Sequence, residues 1–63
     1  MNSLHSTVLE NQVRRYREVL HKFSLEIQED EQLTRQERSM ITSHLIIAKC
    51  ELKDLEDEIH NGY

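Results

Sequence analysis

The amino-acid sequence predicts an all-α fold, a two-helix antiparallel hairpin that is coiled-coil-like and is completed by association with another chain. Three observations support this. The 63 residues contain no proline and a single glycine, apolar residues recur with the 3.5-residue spacing of packed helices, and two Thr-x-x-Glu sequences mark helix starts. A chain this short buries too little surface to be stable alone without disulfides, metals or association.

The first predicted helix runs from about residue 8, or one turn earlier, to about residue 29. Its apolar residues are spaced alternately by four and three positions, which places them in one stripe along the helix. They are Leu9, Val13, Tyr16, Leu20, Phe23 and Ile27. Thr7 stands three residues before Glu10, a pattern in which the two side chains bond free backbone N–H groups, so we expect Thr7 to cap this helix.

The second predicted helix covers about residues 35–60. Thr34 and Glu37 repeat the capping pattern at its start. Asn61 and Gly62 supply its stop, since glycine takes the left-handed conformation that ends helices at little cost. A second apolar stripe has the same spacing and consists of Ile41, Leu45, Ala48, Leu52, Leu55 and Ile59.

The connection between the helices, about residues 30–34, is short enough to force them antiparallel. Folding the chain there opposes residues whose numbers add to about 64. This register brings the two apolar stripes together and places opposite charges beside them. The opposed residues include Tyr16 with Ala48, Glu10 with Lys53, and Arg14 with Glu51.

Apolar residues outside these two stripes exceed what two packed helices can cover. An isolated pair buries one stripe on each helix and leaves the outer flanks to water. We therefore predict a second interface, formed with another polypeptide by residues outside the stripes. These candidate partner-binding residues are Met40, Ile46, Ile47 and Cys50 of helix two, with Val19 and Leu25 of helix one. A weak homodimer is one way of covering them.

Composition and spacing favour a protein without a catalytic, cofactor or metal site. The single cysteine, Cys50, excludes an intramolecular disulfide, and Cys and His residues do not stand at metal-ligand spacing. A cysteine nucleophile needs a base and an oxyanion pocket, which a helical hairpin does not readily form. We therefore predict that the chain is not an enzyme. The acidic residues from Asp54 to Glu58 lack calcium-loop spacing and are expected to face solvent.

A net charge of −4 provides no basic field that would attract nucleic acid or an anionic membrane. One basic cluster, Arg14, Arg15 and Arg17 around Tyr16, is local. The longest apolar run is four residues, far below the ~20 that span a bilayer, and the N-terminal residues lack the pattern of a signal peptide. We expect a cytoplasmic protein without membrane contact, and the charge disfavours a nucleic-acid partner.

The layout combines a leading LENQV segment, a first helix ending near mid-chain, a short polar turn, and a second helix that starts at TRQERSMITSHLIIAKCELKDL and becomes apolar at residues 45–48. In length and layout the chain resembles the small E-type co-chaperones of type III secretion systems, the YscE family. The resemblance implies a non-enzymatic protein of bacterial virulence that binds a larger, tetratricopeptide-like helical chaperone. Together the pair would keep the needle subunit soluble in the cytoplasm until export.

Two other functions are compatible with the same heptads. One is a Rop-like regulator, in which two hairpins form an antiparallel four-helix bundle and a face of helix one binds paired RNA loops. That RNA face would consist of Arg14, Arg15, Arg17 and Lys22, and it is interrupted by Glu10, Glu18 and Glu26. The other is a small helical inhibitor or regulator that docks on another protein through the surplus apolar residues.

Overall fold

Two α-helices joined by a short turn form the fold in a computed structural model, which describes residues 4–62. Helix α1 spans Leu4–Gln28 and helix α2 spans Arg35–Gly62. The helices pack against each other. They run antiparallel, as shown by the contact between Glu10 near the start of α1 and His60 near the end of α2. The predicted all-α hairpin is therefore confirmed.

Helix α1 begins earlier than the capping pattern at Thr7 indicated. Its first residue is Leu4, so Thr7 lies inside the helix. The prediction that Thr7 caps α1 is wrong. A Thr and a Glu three positions apart also occur inside a helix, where they are neighbours on one face. The start lies one turn before residue 8, the earlier of the two positions that the sequence left open.

The start of α2 carries the predicted capping box. The Thr34 backbone N–H donates to Glu37 Oε1 at 2.8 Å, and the Glu37 N–H donates to Thr34 Oγ1 at 3.1 Å. Hydrogen bonding with Thr34, first through its backbone amide and then through its side chain, lowers the pKa of Glu37. In the preceding turn, the Gln32 backbone N–H donates to Asp30 Oδ1 at 2.9 Å. Gly62, with a φ of +143°, ends α2 in a region that favours glycine.

Buried side chains mark the line along which the helices touch. On α1 they belong to Ser6, Val13 and Ser24, and on α2 to Glu56 and Ile59. Within residues 5–62, Val13 and Ile59 are the buried apolar side chains, with 7% and 0% of their surface exposed. The distance between packed helices depends on the side chains at their contact. The small serines therefore allow α2 to approach α1 closely along this line.

The apolar stripe of α1 lies beside this contact line rather than on it. Tyr16 is 65% exposed and Phe23 is 47% exposed, so the predicted burial of these two side chains against α2 is wrong. A helix turns by about 100° per residue, which places Tyr16 and Phe23 on one side of Val13 and Ser24. The physical reason is that α2 packs closer to the serines and arginines of α1 than to the aromatic residues of α1.

Ion pairs across the hairpin join different residues from those predicted. Arg14 Nε lies 3.4 Å from Glu56 Oε1, and His60 Nδ1 lies 3.5 Å from Glu10 Oε2. The residue numbers of each pair add to 70, above the predicted value of about 64. The structure replaces the predicted pairs Arg14 with Glu51 and Glu10 with Lys53.

The direction of this shift follows from the way side chains leave a helix. Side chains lean towards the N-terminus of their own helix. In an antiparallel hairpin this direction is away from the turn on α1 and towards the turn on α2. Two long side chains that meet therefore belong to residues whose numbers have a larger sum than the numbers of two residues directly opposed in the backbone. Near the turn, where Arg38 Nη1 donates to the Gln28 carbonyl at 3.2 Å, the two numbers add to 66.

We expect Thr34→Ala to lower the free energy of unfolding by about 1 kcal/mol, because the Glu37 N–H loses its acceptor at the start of α2. Ser43→Ala is the control. Ser43 Oγ donates back to the Ser39 carbonyl inside the same helix, a bond that adds little, so its loss should change this free energy by less than about 0.5 kcal/mol. Urea unfolding followed by circular dichroism at one protein concentration measures both variants. Equal effects would contradict the cap.

Candidate protein-binding face

A cluster of charged side chains closes one edge of the hairpin around Glu56 of α2, which is only 2% exposed. Arg17 donates from Nε to Glu56 Oε2 and from Nη2 to Oε1 at 3.2 Å. This is the bidentate geometry in which a planar guanidinium matches a carboxylate. Arg14 Nε adds a third contact, to Oε1 at 3.4 Å. Glu56 is therefore held by two arginines of the other helix.

This pairing changes the acid–base properties of both partners. The hydrogen bond from Arg17 lowers the pKa of Glu56, and the same bond raises the pKa of Arg17 above its already high value. The guanidinium groups cover Glu56 at the edge of a thin hairpin, so water stays close to the pair and moderates its Coulomb energy. The prediction that residues 54–58 all face solvent is wrong for Glu56, because its partners lie on α1 and the local acidic sequence does not reveal them.

His21 and Lys49 extend the same edge, with 3.4 Å between His21 Nδ1 and Lys49 Nζ. We call this side of the molecule the polar edge. It consists of Glu10, Arg14, Arg17 and His21 of α1 with Lys49, Glu56 and His60 of α2.

The heptad residues of both helices lie towards the opposite edge. On each helix they are rotated away from the residues that form the polar edge. The polar-edge residues of both helices lie at one edge of the hairpin, so the two apolar stripes lie together towards the opposite edge. We call this surface the open apolar face. It consists of Leu9, Tyr16, Leu20, Phe23 and Ile27 of α1 with Ile41, Leu45, Ala48, Leu52 and Leu55 of α2.

None of the ten side chains of the open apolar face is buried. The hairpin exposes 5146 Å², compared with about 4,300 Å² for a compact monomer of its 7.6 kDa mass. Monomeric proteins rarely expose contiguous apolar patches larger than a few hundred Å², and larger patches mark interaction sites. The face extends over residues 9–27 of α1, about 27 Å along the helix, so it is a candidate protein-binding surface.

Three of the six predicted partner-binding residues lie beside the open apolar face. Val19 is one turn from both Tyr16 and Phe23, and it widens the face on α1. Met40 and Ile47 lie further round α2, on the side that faces away from α1. All three are at least two-fifths exposed. Their role in binding a partner stays a prediction.

The other three predicted residues lie on the side of the polar edge. Ile46 and Cys50 line an open groove between the helices together with Arg17. Leu25 is one turn beyond His21, on the same side of α1. The structure therefore does not bring the six predicted residues together on one surface.

Sequence reasoning missed the exposure of Tyr16 and Phe23, because heptad spacing predicted that each would be buried inside the hairpin. The available signal was the small Ser24 next to Phe23, on the side that α2 covers.

The basic cluster of α1 is divided between two environments. Arg14 and Arg17 are engaged by Glu56. Arg15 Nη1 instead donates to Gln12 Oε1 of its own helix at 3.5 Å. The cluster therefore does not form one free cationic surface.

Within residues 4–62, no group of three His, Cys, Asp or Glu residues is arranged to hold a metal ion. Over the same range, neither helix contains a stretch that is long and apolar enough to cross a bilayer. Comparison with known protein families, with curated proteins and with solved structures finds no match to this chain.

We expect Glu56→Gln to lower the free energy of unfolding at pH 7 by about 1–3 kcal/mol, because Arg17 loses a charged bidentate acceptor. Pairing lowers the folded-state pKa of Glu56. Its contribution is therefore fully present above about pH 4.3, the unfolded value, and is lost as the pH falls through the folded-state pKa. The two proteins should become similar in stability once the pH lies below the folded-state pKa of Glu56.

Urea unfolding of both proteins at several pH values, at one protein concentration, measures this difference. Glu31→Gln in the exposed turn is the control, and it should change stability by less than about 0.5 kcal/mol. A Glu56→Gln effect that is the same at pH 7 and at low pH would contradict the ion-pair assignment.

Proposed function

We propose that the chain is a non-enzymatic protein-binding module that docks on a helical partner protein through its open apolar face. The observation that supports this proposal is a continuous apolar surface, built from both helices, that the hairpin leaves half-buried or exposed. A partner helix binds such a surface by packing its own apolar stripe against it, with anchor residues at three- and four-residue spacing. The face has this spacing on both of its helices.

The small interior of the hairpin agrees with such a role. Over residues 5–62, two apolar side chains are buried, those of Val13 and Ile59, and they provide little hydrophobic stabilisation. A partner that covers the open apolar face would bind the folded state and not the unfolded state, and so would stabilise the hairpin by mass action. Folding and partner binding are coupled in this proposal.

In the specific form that the sequence resemblance implies, the partner is a larger tetratricopeptide-like chaperone. The chain would act as a small co-chaperone in the bacterial cytoplasm, and the complex would keep a type III secretion needle subunit soluble before export. The hairpin architecture and its uncovered face support this form, since a co-chaperone needs a preformed helical surface and no catalytic group.

The Rop-like RNA-binding alternative receives less support. It requires a basic surface on α1, and such surfaces bind RNA through phosphate contacts. Two of the arginines that would provide it, Arg14 and Arg17, are already engaged by Glu56.

A capture experiment tests the proposal and divides the six predicted binding residues by position. The tagged chain is co-expressed with a tetratricopeptide-like needle chaperone, and the captured chaperone is measured. The double variant Val19→Asp, Ile47→Asp places charges beside the open apolar face and should reduce capture at least about tenfold. The matched variant Ile46→Asp, Leu25→Asp places the same charges on the side of the polar edge and should capture normally.

Circular dichroism of each variant reports whether its hairpin remains helical. Equal capture by both double variants would contradict the assignment of the face. Absence of any complex between the unmodified chain and the needle chaperone would contradict the co-chaperone form of the proposal.

A further inference from the structure

We infer that the groove along the polar edge binds an acidic amphipathic helix of another protein. This groove lies on the opposite side of the hairpin from the open apolar face, so the inference does not rest on the proposed function. Charge identifies the occupant, because this acidic chain concentrates its cationic side chains along the groove.

The groove runs between the two helices in two stretches that meet at Ile46, which lines both. We call this surface the basic groove. Its cationic side chains belong to Arg17, Lys22, Arg35, Arg38, Lys49 and Lys53. Within residues 5–62, six of the eight lysines and arginines therefore line it, against two of the twelve aspartates and glutamates, Glu18 and Asp54. The groove is cationic although the whole chain has a net charge of −4.

Carboxylates balance the end of the basic groove that lies away from the turn. Glu56 holds Arg17, and Lys53 Nζ lies 3.2 Å from Asp57 Oδ1. Both of the carboxylates that line the groove belong to this end as well. An acidic ligand therefore gains little here, and the half nearer the turn is the part that attracts it.

The half of the basic groove nearer the turn has four cations, those of Lys22, Arg35, Arg38 and Lys49. Among the described residues, none of the four forms an ion pair with Asp or Glu. Lys49 contacts the His21 ring at 3.4 Å, and Arg38 donates to the Gln28 carbonyl. Glu29 follows the end of α1 and does not line the groove. Since cations that lie close together repel one another, carboxylates from a ligand would be bound favourably here.

Arg38 has hydrogen-bonding capacity that the hairpin does not use. A guanidinium carries five N–H donors, and Arg38 Nε is buried without a hydrogen-bond partner. Thr42 Oγ1, one turn later on the same side of α2, is also buried and unpaired. Most buried polar groups in proteins are hydrogen-bonded. A carboxylate in the groove gives Arg38 an acceptor for Nε once the side chain turns outwards, and the planar guanidinium suits this acceptor.

The floor of the basic groove favours a protein segment over a nucleic acid. Ile46 is 48% exposed, Cys50 is exposed, and both line the groove. They provide an apolar anchor between cationic rims, which matches a helix with an apolar stripe flanked by carboxylates. Single-stranded nucleic acid is held by stacking on aromatic side chains as well as by phosphate contacts. Within residues 5–62, no Phe, Tyr or Trp side chain lines the groove.

A designed peptide tests the inference on the whole chain. The probe is a fluorescein-labelled peptide of about 18 residues, which spans about 27 Å as a helix, the length of α2 from Arg35 to Lys53. It carries leucines on one stripe, glutamates on both sides of that stripe and alanines elsewhere. Fluorescence anisotropy at about 0.15 M salt should show saturable binding of this peptide. The same peptide with lysine in place of each glutamate should bind more weakly, and so should a labelled oligouridylate of equal formal charge.

Absence of saturable binding by the glutamate peptide would overturn the inference, and so would a lysine peptide that binds as tightly or more tightly. An oligouridylate that binds as tightly as the glutamate peptide, or more tightly, would overturn the choice of a protein occupant.

Neutralising the unpaired lysines tests the role of charge. Lys22→Gln combined with Lys49→Gln should raise the dissociation constant of the glutamate peptide at least about fivefold, because two cations at the rim are lost. Arg15→Glu changes the net charge of the chain by the same amount. Arg15 does not line the groove, and it lies about 10 Å along α1 from Lys22, so salt screens it and the constant should change by less than about twofold. Equal effects would overturn the inference.

Two adjacent isoleucines of similar exposure test the position of the peptide. Ile46→Asp removes the apolar anchor of the basic groove and should raise the dissociation constant of the glutamate peptide at least about fivefold. Ile47→Asp adds the same charge on the side of α2 that faces away from α1, and it should change the constant by less than about twofold. Circular dichroism reports whether both variants stay helical. Equal effects on peptide binding would overturn the inference.

Peptide binding and chaperone capture are separate measurements on separate surfaces. A chain that binds the glutamate peptide in the basic groove but captures no chaperone would refute the proposed function and leave this inference standing. A chain that captures the chaperone but does not bind the peptide would give the reverse result.

Discussion

The contact between Glu56 and the two arginines of α1 determines how each helix is rotated about its axis. A carboxylate with 2% exposure must keep its charged partners, because leaving such a group unpaired away from water is costly. Keeping them brings the arginine side of α1 against α2 and turns both heptad stripes towards the other edge. The open apolar face is thus a consequence of a polar contact on the opposite side of the molecule.

The sequence predicts the helices, the turn and the cap at Thr34 because these depend on nearby residues. Periodicity, the absence of proline and the Thr-x-x-Glu pattern all act within a few positions. It does not predict which apolar residues are buried, because heptad spacing shows that a stripe is covered without showing how many helices cover it. Tyr16 and Phe23 therefore have the same heptad spacing as Val13, although of these three residues the structure buries only Val13.

The sequence also does not predict which charged residues meet across the hairpin. Glu56 lies in an acidic stretch that reads as a solvated helix end, and its arginine partners are about 40 positions earlier in the chain. The lean of long side chains then displaces each pair from the register that the turn length predicts. Of the candidate site, the sequence identified an apolar surplus and residues at its flanks, Val19, Met40 and Ile47. The centre of the face became evident only from the arrangement of the helices.

The position of Cys50 has a consequence for oxidation chemistry. Its exposed thiol lies in the groove along the polar edge, so a disulfide between two copies would join them back to back and leave two apolar surfaces pointing outwards. Oxidation would therefore convert hairpins with one apolar face each into a linked pair that exposes two such faces on opposite sides.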